Sequence, residues 1–142
     1  MNPKEIILHH SLTKDSGTVS WDAIRRYHVD VKGWDDIGYH YGIELVGTHF
    51  EILIGRSMLD QGAHCYSHNE DSLGICFIGN YDFGSPPGGM WKLGIKHVST
   101  LLRVFDLTSG DVKGHNEYNP QKTCPGRIFD MTRFRRELDE IL

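Results

Sequence analysis

Two residues of types that commonly bind metals lie close together near the carboxyl end of the chain. His115 and Cys124 are nine positions apart within the segment Gly114–Gly126. Imidazole nitrogen and thiolate sulfur suit zinc better than magnesium or calcium. Zinc sites that catalyse commonly use three protein ligands and leave the fourth position to water. The spacing raises the hypothesis of a zinc site, but a cysteine that simply packs beside a proline gives the same pattern.

A third ligand is available from two adjacent histidines near the amino end. His9 and His10 follow the apolar run Ile6–Leu8. Apolar and β-branched residues before a polar end predict a strand over residues 6–10. Neighbouring side chains of a strand point to opposite faces, so only one of the two rings can point into a given site. Alternation alone leaves both choices open.

Glycine and proline divide the rest of the chain into strand and helix patterns. Gly47-Thr48 separates two strand-like runs and predicts a hairpin, and the apolar run Leu73–Ile78 predicts a strand at the centre of the sheet. The predicted strands are Ile6–His10, Tyr41–Val46, His49–Ile54, Leu73–Ile78 and Asp111–Gly114. Strands interleaved with helices predict an α/β fold with a central mixed β-sheet flanked by helices.

Three segments show helical patterns. Ser20 is a suitable N-cap for a helix from Trp21 to Asp30. Apolar spacing predicts a helix over Trp91–Leu107, ended by Gly110, after a loop over Tyr81–Gly89. A charged amphipathic helix over Met131–Leu142 is expected to pack through Phe134, Leu138 and Ile141. The segment between His115 and Cys124 is interpreted as a loop.

Length and composition fit one globular domain over residues 1–142. A net charge of −4 indicates no general attraction to nucleic acid or to anionic membranes. No apolar stretch approaches the length of a membrane span, and the first residues lack a secretory pattern, which predicts synthesis in the cytoplasm. Three cysteines are an odd number, and Cys76 is expected to be a small core residue. We expect a monomer.

Several motifs, taken together and in order, resemble the type 2 N-acetylmuramoyl-L-alanine amidases. This family includes the peptidoglycan recognition proteins, and the closest likeness is to the T7 lysozyme-like phage amidases. The resemblance extends from about Ile6 to Cys124. The motifs are Ile7–Ser11, Gly38–Tyr41, Gly47-Thr48 with Gly55-Arg56, Gly62–His64 with Asn69 and Ser72–Ile75, and Gly114-His115 with Lys122–Pro125.

The resemblance implies a site for each matching residue. A Zn²⁺ ion at one edge of a surface groove would be bound by His9, His115 and Cys124, with His10 on the other face of the strand. Tyr39 and Lys122 would be catalytic, and the family pattern leaves open which of them transfers the proton. Substrate-binding residues would be His64, Asn69 and Arg56. One extra residue between His115 and Cys124, relative to the T7-like amidases, puts the ligand geometry in doubt.

The implied reaction is hydrolysis of the amide bond between N-acetylmuramic acid and L-alanine in peptidoglycan. The expected protein is a phage or prophage endolysin that acts on the cell wall after release, without membrane insertion and without nucleic acid. One alternative is a non-catalytic peptidoglycan-binding module, although such members commonly lack the cysteine ligand. Another is a cytoplasmic amidase that recycles muropeptides, although those usually carry aspartate at the position of Cys124.

Overall fold

A five-stranded mixed β-sheet forms the centre of the protein, in a computed structural model that describes residues 1–13 and 21–142. The strand order across the sheet is β3-β2-β4-β1-β5. The strands are β1 (Glu5–His10), β2 (Tyr41–Val46), β3 (His49–Ile54), β4 (Ser72–Phe77) and β5 (Val112–Gly114). The predicted α/β class and its mixed sheet are confirmed.

The strands in the middle of the sheet pair in parallel and are buried. Strand β1 pairs in parallel with both β4 and β5, and β2 pairs in parallel with β4. Every residue of β4 is buried, as expected for a strand covered on both faces. The prediction that this apolar run occupies the centre is therefore confirmed, with the strand beginning at Ser72.

The hairpin predicted around Gly47-Thr48 is confirmed with its predicted strand ends. Strands β2 and β3 pair antiparallel, with Val46 opposite His49. Gly47 has a φ of +64°, a conformation that glycine adopts without steric cost. Because β3 is at the edge of the sheet, this hairpin forms one side of the molecule.

Four α-helices accompany the sheet in the described part of the chain. They are α1 (Trp21–Arg26), α2 (Gly88–Val104), α3 (His115–Tyr118) and α4 (Met131–Ile141). A π-helical turn, Tyr27–Val31, continues α1. The predicted helix Trp21–Asp30 is therefore helical over its whole length, first as an α-helix and then as a π-helix. The predicted cap, Ser20, lies outside the described residues. No helix among the described residues is long and apolar enough to cross a membrane.

The predicted bounds of the second helix were wrong by three residues at each end. Helix α2 begins at Gly88, inside the segment interpreted as a loop, and ends at Val104. Asp106 has a φ of +55°, and the Leu107 amide donates to the Leu102 carbonyl at 2.8 Å. This pattern is a Schellman closure, which ends the helix well before Gly110.

The last helix packs through a shorter apolar stripe than predicted. Asp130 caps α4 by accepting a hydrogen bond from the Arg133 amide at 2.9 Å. Phe134 and Leu138 are fully buried, as expected, but Ile141 is 44% exposed. That part of the prediction was wrong because Ile141 is the final residue of the helix, at the end of the packed stripe.

The two faces of the sheet carry different sets of side chains. Helices α2 and α4 contribute to the main core over one face, where Ile6 and Leu8 of β1 pack. The opposite face carries a smaller cluster that contains Trp21, Ile37 and Cys76. His9 is paired in register with Cys76 of β4. Alternation therefore places His9 on the second face and His10 on the first.

Candidate metal centre

The three predicted ligands meet at the carboxyl ends of β1 and β5. Leu8 of β1 is paired with Gly114 of β5, so His9 and His115 each follow a paired residue on adjacent parallel strands. Cys124 returns to the same place from the loop after α3. One donor atom from each of His9, His115 and Cys124 lies within 4.8 Å of the other two. The one extra residue between His115 and Cys124, relative to the T7-like amidases, therefore does not separate the three donor atoms.

The segment from His115 to Cys124 begins with a helical turn, whereas we expected a loop throughout. Its first four residues form α3, and the Glu117 carboxylate accepts a hydrogen bond from the Gly114 amide at 2.5 Å. Arg135 of α4 donates to the same carboxylate. A carboxylate at the first turn satisfies backbone amides that have no partner within a helix. This cap holds His115 at the end of β5.

Two sets of hydrogen bonds fix the cysteine loop. The Asn116 amide donates to the Cys124 carbonyl at 2.7 Å, which ties the loop back to α3. On the other side, the Asp82 carboxylate accepts from the Thr123 hydroxyl at 3.0 Å and from the Arg127 amide at 2.9 Å. Cys124 itself is buried. The position of the sulfur thus depends on contacts that are remote in sequence.

His10 supports the cysteine from the other face of the strand. Its backbone amide donates to the Cys124 Sγ at 3.3 Å. Its ring Nδ1 accepts a hydrogen bond from the Tyr81 amide at 3.0 Å. The His10 ring is not part of the donor cluster. The geometry therefore agrees with the choice of His9 over His10.

The His9 ring has one nitrogen toward the cluster and one away from it. Nδ1 lies 3.5 Å from the Cys124 Sγ, and Nε2 lies 2.9 Å from Nδ1 of His64. Burial, followed by the nearby His64, His115 and His10 rings, lowers the pKa of His9 well below its usual value. A neutral imidazole has a free lone pair, which is the form that binds a metal.

The donor set fits zinc. Two imidazoles and one thiol lie in a partly buried cluster, and this combination of nitrogen and sulfur suits Zn²⁺. Burial raises the pKa of the Cys124 thiol to about 12, although the His10 amide and the Lys122 charge act in the opposite direction. Zinc binding is coupled to loss of such a proton, because thiolate is the ligating form.

Tyr39 and Lys122 lie beside this cluster. The Tyr39 ring centroid is 5.2 Å from that of His9. Burial, followed by the Cys76 and Cys124 thiols, raises the pKa of Tyr39 well above its usual value, so its hydroxyl keeps a hydrogen to donate. Lys122 is exposed, and its charge adds to the effect of burial in lowering the pKa of His115 and partly opposes the rise in the pKa of Cys124.

Comparison with known protein families decides the class of this chain. The sequence pattern of the family described as N-acetylmuramoyl-L-alanine amidase matches residues 1–127. The chain belongs to the N-acetylmuramoyl-L-alanine amidase family. The predicted family and the predicted enzyme class are both confirmed, and peptidoglycan amidase activity follows as the function at this level.

Individual relatives of the amidase agree with this assignment. The endolysin of Escherichia phage T7 is 33% identical over 135 residues, which cover 91% of this chain and 83% of the relative. Peptidoglycan-recognition protein SC1a of Drosophila melanogaster is 29% identical, over 84% of this chain and 66% of that protein. The structure of N-acetylmuramoyl-L-alanine amidase LysC from Clostridium intestinale superposes with a TM-score of 0.85 at 28% identity, covering 97% and 86% of the two chains.

The predicted substrate-binding residues of the amidase make internal hydrogen bonds. Asn69 Oδ1 accepts from the amides of His64 and Cys65, each at 2.9 Å. Arg56 donates to three backbone carbonyls of the surrounding loops, including that of Ile37 next to Gly38-Tyr39. These contacts hold the loops around the site. Direct contact of His64, Asn69 or Arg56 with substrate stays a prediction.

One cavity of the amidase adjoins the centre, and a second lies beside the first. A cavity of about 260 Å³ lies between α1 and Tyr39, and His28 forms part of its wall. A larger cavity of about 560 Å³ shares Thr13 with the first and extends past Phe50 toward Met90 on the α2 side. The smaller one is next to the predicted catalytic tyrosine, so its position matters more for the reaction than its volume does.

Two residues that support the centre of the amidase were not among the predicted site residues. Asp82 accepts hydrogen bonds that fix the cysteine loop, and the Ser72 hydroxyl oxygen lies 3.2 Å from His64 Nε2. Asp82 carries no local signal, because an aspartate in a Gly-Pro-rich loop is ordinary, whereas Ser72 begins the motif Ser72–Ile75 but had no role assigned to it. The fully buried His40 ring has a structural role, because it donates to the Asp60 carbonyl and accepts from the Gly74 amide.

Proposed function

We propose that this amidase depends on zinc and cleaves the amide bond between N-acetylmuramic acid and L-alanine. The observation that carries the proposal is the meeting of His9, His115 and Cys124, whose donor atoms lie within 4.8 Å of one another. When bound, zinc supplies an activated water and polarises the carbonyl of the substrate. The three side chains would hold the ion, and catalytic zinc sites with three protein ligands leave the fourth position to water.

Lys122 is proposed to stabilise negative charge on the carbonyl oxygen. Its charge is close enough to affect the pKa values of both His115 and Cys124, while the residue itself is exposed. An ammonium placed where charge develops lowers the barrier without any change in its own protonation. The backbone amide of Lys122 donates to the Asn119 carbonyl at 2.9 Å, which fixes the turn that carries it.

Tyr39 is proposed to orient the reacting water or to donate to the carbonyl. Its raised pKa keeps the hydroxyl protonated at neutral pH, so it acts as a hydrogen-bond donor there. The Arg56 amide donates to the Tyr39 carbonyl at 3.0 Å and holds this residue beside His9. As the amide carbon–nitrogen bond breaks, the departing L-alanine nitrogen takes up the proton that the attacking water gives up, and Tyr39 or Lys122 is proposed to assist this transfer.

The substrate is proposed to lie across the loops that surround the centre. Arg56 has N–H groups beyond the three already used, and these suit a carboxylate of the stem peptide. The amide nitrogen of Asn69 and the half-buried residue His64 are proposed as further contacts. We propose that a monomer binds one muropeptide across these loops.

The biological role that we propose is that of a phage or prophage endolysin. The endolysins of phage T7 and Klebsiella phage KP32 are 33% and 31% identical to this chain over most of its length. We propose synthesis in the cytoplasm followed by action on the cell wall after release. Digestion of intact sacculi as well as of soluble muropeptides would support this role, whereas activity on soluble muropeptides alone would favour recycling.

Zinc dependence is tested by digestion of purified sacculi with and without a zinc chelator. We expect stem peptides with new amino-terminal alanine, loss of this product with chelator, and recovery on addition of zinc. Cys124→Ser should abolish the product, and Cys65→Ala, which changes a buried cysteine outside the cluster, serves as the matched control. Binding to sacculi without any release would instead favour the non-catalytic module.

A further inference from the structure

A chain of hydrogen bonds leads from His9 away from the donor cluster. His9 Nε2 is 2.9 Å from His64 Nδ1, and His64 Nε2 is 3.2 Å from the Ser72 hydroxyl. The Ser72 hydroxyl is in turn 2.5 Å from the backbone carbonyl of His68. The chain thus joins the end of β1, the loop after β3 and the start of β4, and it ends at a backbone group.

The direction of each hydrogen bond follows from that final group. A carbonyl oxygen only accepts, so Ser72 must donate its single hydrogen to His68. Ser72 therefore accepts from the Nε2 hydrogen of His64. A neutral His64 ring then has only a lone pair at Nδ1, so His9 must donate from Nε2. The remaining His9 nitrogen, Nδ1, is left with its lone pair 3.5 Å from the Cys124 Sγ.

We propose that His64 and Ser72 are positioning residues that hold the His9 ring with its hydrogen on Nε2 and its Nδ1 lone pair facing the metal site. This inference rests on the proposed zinc dependence. Metal-binding histidines commonly donate their second ring hydrogen to an outer partner, which fixes both the tautomer and the ring orientation. In this protein the outer partner of His9 is the His64 imidazole, which the buried Ser72 holds in place.

The surroundings of His64 are built to keep its ring at this place. Asn69 Oδ1 accepts from the amides of His64 and Cys65 and fixes the backbone on both sides of the peptide bond. Gly74 of β4 lies directly against the ring, and a Cβ at that position would be 2.5 Å from His64 Cγ. Gly62 is similarly close, with a Cβ position 2.8 Å from His64 Cδ2. A larger residue at Gly74 would displace the ring from its place, whereas one at Gly62 would also meet the His40 ring and the Gly38 carbonyl.

The proposed role differs from a substrate contact in what it controls. A residue that only touches substrate changes KM and leaves the affinity for zinc unchanged. A residue that holds His9 changes zinc affinity in the absence of any substrate. Replacement of such outer partners typically costs about 10- to 100-fold in metal affinity.

The test uses three full-length proteins: wild type, His64→Leu and His64→Gln. Leucine removes the acceptor for His9, whereas the side-chain oxygen of glutamine restores one. Zinc affinity, measured by competition with a chromophoric chelator, should fall about 10- to 100-fold in His64→Leu and recover in part in His64→Gln. Ser72→Ala should give a smaller loss, because His64 then keeps its place but loses its fixed tautomer.

Nitrogen-15 chemical shifts of His9 provide a readout that requires neither activity nor zinc. In metal-free wild type we expect the hydrogen on Nε2, and in the zinc-bound protein we expect ligation through Nδ1. A hydrogen on Nδ1 in the metal-free wild type would overturn the inference. So would an unchanged zinc affinity in His64→Leu together with a raised KM. Failure of the wild type to bind zinc would instead refute the proposed function, and the metal-free spectra would still decide the position of the hydrogen.

Discussion

A methyl group added at Gly74 should disturb the metal centre without touching any proposed ligand. In Gly74→Ala the new Cβ would lie 2.5, 2.7 and 2.8 Å from three ring atoms of His64. Ordinary contact begins near 3.4 Å, so the ring must move by roughly 1 Å if the strand stays in place. A movement of that size is enough to take the 2.9 Å contact between His64 and His9 out of hydrogen-bond range.

The expected loss of stability follows from two costs and one gain. Overpacking in a filled site costs about 1–3 kcal/mol, and loss of one hydrogen bond costs about 1 kcal/mol. Replacing glycine by alanine within a strand returns roughly 0.5–1 kcal/mol. The net effect for Gly74→Ala is therefore a destabilisation of about 1–3 kcal/mol, with zinc affinity about 10-fold lower or more.

Urea unfolding of the metal-free protein and zinc titration measure these two effects separately. Gly84→Ala is the matched control, because a Cβ there meets nothing within 4 Å. We expect this control to change the free energy of unfolding by less than about 0.5 kcal/mol. If Gly74→Ala matched the control in both stability and zinc affinity, the close packing of His64 against β4 would have no role at the site.

Three further predictions concern other residues. Cys124→Ser should lose activity and most zinc affinity, measured by product release and metal analysis, because serine is a poor zinc ligand; full activity would remove Cys124 from the site. His9→Ala should lose zinc while His10→Ala retains it, and the reverse result in metal analysis would show that the strand faces were misassigned. Burial lowers the pKa of His97 from its unfolded value of 6.5 to about 4, so the unfolded chain binds a proton first as the pH falls. Stability should therefore drop between about pH 6.5 and 4, by up to roughly 3 kcal/mol from this group; if His97→Leu showed the same loss in urea titrations, the assignment to His97 would fail.

Local patterns determined most of the secondary structure. The ends of β2 and β3 follow from alternating residues around Gly47-Thr48, because a two-residue turn fixes the register of its own strands. The end of α2 was misplaced because it depends on the left-handed conformation of Asp106, a residue that rarely marks this position. The sequence around His115 suggested a loop because α3 forms only one helical turn, stabilised by Arg135 from α4.

The sequence by itself determined the chemistry of the donor set, since imidazole and thiolate at His115 and Cys124 suit zinc in any fold. It could not choose between His9 and His10, because alternation within one strand is symmetric until the sheet packs. Only the tertiary structure shows which of the two rings joins the donor cluster, through the pairing of β1 with β4 and β5, which sets His9 beside His115. The contact of His9 with His64 was equally hidden, because a hydrogen bond between residues 55 positions apart depends on the folded path of the chain.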